Sequence, residues 1–536
     1  MILRPSARTK VASAAATSSS SREHWSSDGK LEMSKFSIFF KMIRQLHAIL
    51  PCILIMSLLF SWILYKGNLP TKRKSHGFFK NKKMGNNNVA ELEKKESIRK
   101  PMEEKVINAF PTPLSPPAPE FDSDGSTRMH VVFSTDCSAY QHWQSYALFY
   151  SAMKLGQPGK VTRIASGCSD VDAVEAKQWH QNHIQSKMSQ NFQLHLTPDF
   201  SSLKTSDSKR PERYSYFNKP FGLLHWMQHG EDMGVDPDTN KLLDENIVII
   251  LIDPDMLLLR PFSADFSDKQ ETIFRVEDEK WVTRVQHGKP FSAKYGFRTE
   301  WMALNLTEIA GNTSPALEVT KKDGEDHYMV GPPYLATGRD MYAIAEKWVE
   351  FAPKVHKQYP RLLAEMFAYC IAAAHLKLPH KLVKSLMISD YGCPPSEGWS
   401  FIDRLTAETV CNIASNPNHR KDPVPNVIHY CQSYNVGEWF FSKRSFKNNF
   451  FSCENPLLED PPANLGERTY IVTGDGTKSD FEEKHSKREA FMICGIISLL
   501  NGAANFFKST SCAENHALTN YNKTLRYLVD GIVKEE

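Results

Sequence analysis

The sequence predicts an α/β sandwich with a mostly parallel central sheet. Three observations carry this. Short β-rich runs alternate with helical patterns from residue 129 onward, the order that builds parallel sheets. The run Ile247–Ile252 is wholly apolar and rich in β-branched residues, as expected of a strand covered on both faces. Turn-forming clusters such as GQPGK at 156–160 separate the runs.

In chain order, MHVVFS (129–134) reads as the first strand. Residues 139–155 read as a helix, with Tyr146, Phe149, Tyr150 and Met153 on its apolar stripe. VTRIAS (161–166) and FQLHL (192–196) read as the second and third strands. FNKPFGLLHWMQH (217–229) reads as a helix with Pro220 in its first turn. NIVIILIDPDMLLLRPF (246–262) contains the central strand. GPPYLATGRD (331–340) reads as a turn-rich, candidate acceptor-side loop before helices at 338–352 and 360–376. A last amphipathic helix is expected at 484–508.

The 536 residues allow three or four units at about 150 residues each, or one large domain with appendages. The charge is unevenly spread. Residues 1–127 hold 20 Lys and Arg against 11 Asp and Glu, a net of +9, which leaves −5 of the total +4 for the remainder. The main body therefore lacks the basic excess of a nucleic-acid binder. Ala48–Tyr65 is an uncharged apolar run of 18 residues, near the lower limit for crossing a bilayer, and is expected to be a single membrane anchor. Residues 1–47 would then be a tail. Residues 66–127, ending in the proline-rich AFPTPLSPPAPEF, would be an extended stem. Basic residues on both flanks leave orientation open on charge alone. Nine cysteines outside the apolar run form no CxxC pair, which argues against a structural zinc site and suits disulfides. Sequons at Asn305, Asn312 and Asn522 also favour a lumenal body.

The sharpest local signal is Asp253-Pro254-Asp255, at the end of the central strand. In open α/β sheets ligands bind at the carboxyl ends of strands. In extended backbone, residues two apart point the same way, so both carboxylates would converge there. Two hard oxygen ligands suit Mg²⁺ or Mn²⁺, and such an ion can neutralise a departing diphosphate. His429, after the strand-like VPNVIH, is a further candidate ligand. Lys443 and Arg444 could balance diphosphate charge, and Asn218 and Lys219 stand at a helix start suited to anions.

These features combine with others in one order: FSTDCSAYQHWQ (133–144), GQPGKVTR (156–163), NKPFGLLHWMQH (218–229), LIDPDMLLLRPF (251–262), EMFAY (365–369) and HYCQSYNVGEWFFSKRSF (429–446). Over about 128–456 the chain resembles the plant and algal hydroxyproline O-arabinosyltransferases and peptidyl-serine α-galactosyltransferases. The GQPG and NKP blocks lie nearer the galactosyltransferases and DPD nearer the arabinosyltransferases, which leaves the sugar open. The resemblance implies a GT-A-like nucleotide-sugar fold at 128–456 and a C-terminal appendage at 457–536. It implies a UDP-sugar donor, a serine- or hydroxyproline-containing protein acceptor, and Mn²⁺ or Mg²⁺. The implied location is the Golgi or ER membrane, as a single-pass type II protein with a lumenal catalytic domain. Asp253, Asp255 and His429 would hold the metal. Thr135, Asp136, Arg163, Asn218, Lys219 and Lys443 would bind the nucleotide-sugar. Trp143 would belong to the core or to the base pocket, and Glu365 would serve acid/base chemistry or acceptor contact. Two other classes remain: a membrane-tethered lumenal binding protein without catalysis, and a metal-dependent hydrolase.

Overall fold

The computed structural model describes residues 128–203, 212–266, 284–392, 396–418, 420–472 and 477–513, with two further short strands at 525–527 and 533–535. The expected tail, anchor and stem, Cys393 and the Asn522 sequon lie outside the described residues.

The principal elements are β1 (Met129–Asp136), α1 (Ala139–Leu155), β2 (Lys160–Ser166), α2 (Asp170–His180), β3 (Phe192–Thr197), α3 (Asn218–His229), β4 (Val248–Ile252), β5 (Met256–Leu258), β6 (Phe291–Lys294), β7 (Val330–Thr337), α4 (Gly338–Gln358), α5 (Ala364–His375), β8 (Lys381–Leu382), β9 (Met387–Ile388), β10 (Val427–His429), β11 (Ser433–Val436), β12 (Trp439–Ser442) and α6 (Glu483–Ser511). Local chemistry sets several boundaries. The Ser138 side chain caps α1 by accepting from the Gln141 N–H, and Gly156, at φ 63°, closes it in the left-handed conformation. Ser169 caps α2 in the same way, with Asp170 and Asp172 in its first turn.

Seven strands form one sheet in the order β8-β6-β7-β4-β1-β2-β3. β4, β1, β2 and β3 run parallel, and β7 is antiparallel to both β4 and β6. The alternation of side chains sorts the central strands between two cores. Val132, Ile249 and Leu251 face the core built with α3, α4 and α5. Val131, Phe133, Ile250 and Ile252 face the core that includes Tyr146 and Phe149 of α1. A sheet covered on both faces explains why β4 is apolar at every position.

The segment expected as a turn-rich loop, 331–340, is instead the buried strand β7 running into α4. Proline donates no ladder hydrogen bond, so two prolines inside a sheet need a gap in the pairing. The structure supplies one. Opposite β6, the register jumps from Ser292↔Tyr334 to Ala293↔Gly331, and Pro332 and Pro333 fall in the jump.

A smaller sheet, β9-β10-β5, stands beside the main one. The expected appendage, 457–536, contributes α6 to the core behind this sheet. Ala490, Phe491, Ile493, Ile496, Ile497 and Leu500 pack there with Ile428 of β10. α6 is long and apolar enough to cross a membrane by length and composition, but 78% of its most apolar window is buried within the protein. Buried Arg488 anchors the helix by two bonds to Asp403, at 2.8 and 2.7 Å. Disulfides Cys411–Cys494 and Cys453–Cys512 tie α6 to the body, and Cys137–Cys168 links the ends of β1 and β2. Among the described residues, Cys370 and Cys431 are free thiols.

Candidate metal and nucleotide-sugar site

The strand order reverses at β1 and β4. β1, β2 and β3 step away in one direction, and β4 returns to the other side of β1. Ligands of open α/β sheets bind in the crevice at the carboxyl ends of strands flanking such a point. Asp253 follows β4 directly. Asp253-Pro254-Asp255 is a turn rather than the extended segment expected from sequence, because Pro254 ends the ladder and the Met256 N–H bonds back to the Asp253 carbonyl at 3.2 Å.

That turn feeds β5, and β5 brings in the third group. Antiparallel pairing sets His429 opposite Met256, and the Tyr430 N–H donates to the Asp255 carbonyl at 3.0 Å. His429 Nε2 then lies 3.3 Å from Asp255 Oδ1 and 3.9 Å from Asp253 Oδ2. One ligand atom from each of Asp253, Asp255 and His429 lies within 4.8 Å of the others. His429 and Asp255 are buried, and Asp253 is the most exposed of the three.

Each carboxylate also has a lysine. Lys219, in the first turn of α3, stands 2.7 Å from Asp253 Oδ1 and 2.8 Å from Glu365 Oε1 on α5. Lys443, just after β12, pairs with Asp255. Burial alone would lower the Lys219 ammonium, but Asp253 and Glu365 outweigh it and hold the lysine charged, above its ordinary range. Burial pushes the Glu365 carboxyl up, and Lys219 only partly offsets this. Burial would likewise raise Asp255, yet His429 and Lys443 hold it well below the ordinary carboxylate value.

The remaining expected residues take local structural partners. Thr135 and Asp136 end β1, next to β4. The Thr135 hydroxyl donates to the Ile164 carbonyl at 3.0 Å and accepts from Arg163 Nε at 2.9 Å. Arg163 is 3% exposed, and its other nitrogens reach the Asp136 carbonyl at 3.0 Å and His142 Nδ1 at 3.1 Å. As placed, Arg163 braces β1 against β2. Asp136 accepts from the Ser138 N–H at 2.8 Å, and the Asn218 side chain accepts from the Phe200 N–H at 2.9 Å. Trp143 is buried in the core against Phe446, and Arg444 is exposed. Glu365 is 2% exposed; its second oxygen, Oε2, has no hydrogen-bond partner among the described residues.

Three groups near the cluster were not anticipated. The Tyr295 hydroxyl lies 2.9 Å from the Pro332 carbonyl and 3.4 Å from His429 Nδ1. Gly331 makes room for it, since a Cβ there would stand 2.2 Å from the ring. The Cys431 side chain, beside His429, favours the charged imidazole. Buried Glu397, pushed up to about 7 by burial, accepts from the Ser389 N–H and hydroxyl, both at 2.6 Å. Cys431 lies within the HYC sequence and was legible as a neighbour of His429. Nothing in the sequence marks Tyr295 or Glu397.

Two carboxylates and an imidazole make a donor set that fits Mn²⁺ or Mg²⁺. The flanking lysines add positive charge suited to a diphosphate.

No protein-family model matches the chain. Two curated relatives do. Peptidyl serine alpha-galactosyltransferase from Arabidopsis thaliana is 25% identical over 346 residues, covering 62% of this chain and 34% of that protein. The protein of the same name from Chlamydomonas reinhardtii is 23% identical over 409 residues, covering 74% of this chain and 45% of its own. The chain thus spans between a third and a half of the length of the curated relatives it matches. Among solved structures, the galactosyltransferase LgtC with donor and acceptor sugar analogs is 12% identical, covers 57% of this chain and 87% of its own, and has a TM-score of 0.31. The glycosyltransferase GlyE from Streptococcus pneumoniae covers 57% and 55%, at 12% identity and a TM-score of 0.28. Scores this low transfer no residue roles.

Proposed function

From its similarity to the peptidyl serine alpha-galactosyltransferases, we propose that this protein is a glycosyltransferase that moves a sugar from a UDP-sugar donor to a serine or hydroxyproline hydroxyl of a protein acceptor. The observation that carries the reading is the convergence of Asp253, Asp255 and His429 at the reversal point of the sheet, flanked by Lys219 and Lys443. The topology around it supports a GT-A-like domain.

Asp253, Asp255 and His429 would hold the Mn²⁺ or Mg²⁺. When bound, that ion would supply Lewis-acid charge to the departing diphosphate. Lys443 lies on the side of Asp255 and adds charge of the same sign. Lys219 fixes Asp253, because one ammonium serves two carboxylates. Burial and that ion pair suit Glu365 to positioning Lys219 rather than to proton transfer. The β1 end, with Thr135, Asp136 and the Arg163 brace, forms the adjoining wall for the nucleoside. If the anomeric configuration is retained, a leaving diphosphate oxygen on the same face can accept the proton of the acceptor hydroxyl, and no free carboxylate is required for deprotonation.

Within the same proposal the body is lumenal, in the Golgi or ER, behind a single anchor at 48–65. Three disulfides and exposed Asn305 and Asn312 suit an oxidising, glycosylating compartment.

The test is a panel of UDP-sugars with serine-rich and hydroxyproline-rich peptides, read by mass spectrometry. A hexose increment selects galactosyl transfer and a pentose increment arabinosyl transfer. No product from any donor would overturn the reading.

A further inference from the structure

Away from this site, three histidines gather where α3 crosses the edge strand β3. His225 and His229 are one turn apart on α3, so their side chains share one face of the helix. Their ring centroids are 4.7 Å apart. His195 projects from β3, and its Nε2 lies 2.9 Å from His225 Nδ1, with ring centroids 5.1 Å apart. Phe200 stacks on Phe221 and stands 6.2 Å from the His225 ring, giving the cluster an apolar flank. His229 is exposed, and His195 and His225 are half-buried, so an ion can reach the cluster from solvent.

We propose that His225, His229 and His195 form a second metal site, for a borderline transition ion such as Zn²⁺, Ni²⁺ or Cu²⁺. Two histidines one helical turn apart present ring nitrogens to a single ion, the device used by helical zinc motifs. As placed, the three rings do not bring their nitrogens as close together as Asp253, Asp255 and His429 do, so His195 becomes the third ligand by a turn of its ring that exchanges its bond to His225 for the ion. An all-imidazole set favours these metals over Mg²⁺ and Mn²⁺, which prefer oxygen. The site is thereby separated by chemistry from Asp253 and Asp255. Burial, with His225 and His229 nearby, lowers His195 to about 4, and burial with His229 lowers His225. An ion held here would staple the C-terminal end of α3 to β3, and the other end of the same helix carries Asn218 and Lys219.

The experiment is isothermal titration of the full chain with Zn²⁺ and, separately, with Ni²⁺, alongside thermal melts. The variants are His225→Ala/His229→Ala, His195→Ala and Asp253→Ala/Asp255→Ala. The expected result is Zn²⁺ and Ni²⁺ binding that survives in the aspartate variant. It should weaken by about tenfold or more in the double histidine variant and by less in His195→Ala. Added Zn²⁺ should raise the melting temperature of the wild type more than that of the double histidine variant. Binding unchanged in the double histidine variant would overturn the proposal, as would binding abolished by the aspartate variant alone. Neither outcome depends on sugar transfer, so this site and the catalytic reading can fail separately.

Discussion

The Lys219 ammonium stands 2.7 Å from Asp253 and 2.8 Å from Glu365, so one buried cation joins the turn after β4 to the first turn of α5. Removing it would leave buried Glu365 and partly buried Asp253 without that counter-charge. Lys219→Met should therefore destabilise the fold by about 3–5 kcal/mol, because breaking one side of a buried ion pair strands the other. Lys219→Met/Glu365→Leu should recover much of that stability in denaturant titration while donor binding stays impaired, since Asp253 remains unanchored.

The Cys411–Cys494 disulfide closes a loop of 83 residues between the 410–415 helix and α6. Cross-linking a loop of that size restricts the unfolded chain. Cys411→Ala/Cys494→Ala should cost about 2–5 kcal/mol and lower the melting temperature. Because α6 packs behind Ile428, the loss should also loosen the strand that presents His429, seen as faster amide exchange in β10.

Glu489 on α6 accepts from the Asn435 N–H at 2.6 Å, and burial pushes its carboxyl up to about 8 from an ordinary 4.5. Between those values the folded state holds a proton that the unfolded state has released. Its contribution to stability is full below about 4.5 and is lost as pH rises toward 8. Glu489→Gln should flatten the decline in stability across that window, measured by urea titration at pH 5, 6, 7 and 8. An unchanged slope would remove Glu489 as its source.

Much of the architecture was readable because it rests on local patterns. The alternation of strands and helices, the apolar run of β4 and the GQPGK stop after α1 are all short-range signals. The candidate ligands Asp253, Asp255 and His429 were readable as residues, but their meeting depends on β5 pairing with the three-residue strand β10, which no periodicity announces. In sequence β7 reads as a loop because Gly331, Pro332 and Pro333 signal a turn, and only the register jump opposite Ser292 and Ala293 makes them tolerable in a sheet. Arg163 illustrates the opposite limit: an arginine near a strand end suggested phosphate, and its donors go to Thr135, Asp136 and His142. Tyr295 and Glu397 reach the cluster through long-range packing alone.

The most direct test of the central claim is UDP titration of the wild type and of Asp253→Ala and Asp255→Ala, each with and without Mn²⁺. The account predicts that Mn²⁺ strengthens UDP binding to the wild type by about tenfold or more, and that either substitution removes this gain while circular dichroism stays native. UDP binding that is indifferent to Mn²⁺ in the wild type, or a full gain in either variant, would contradict it.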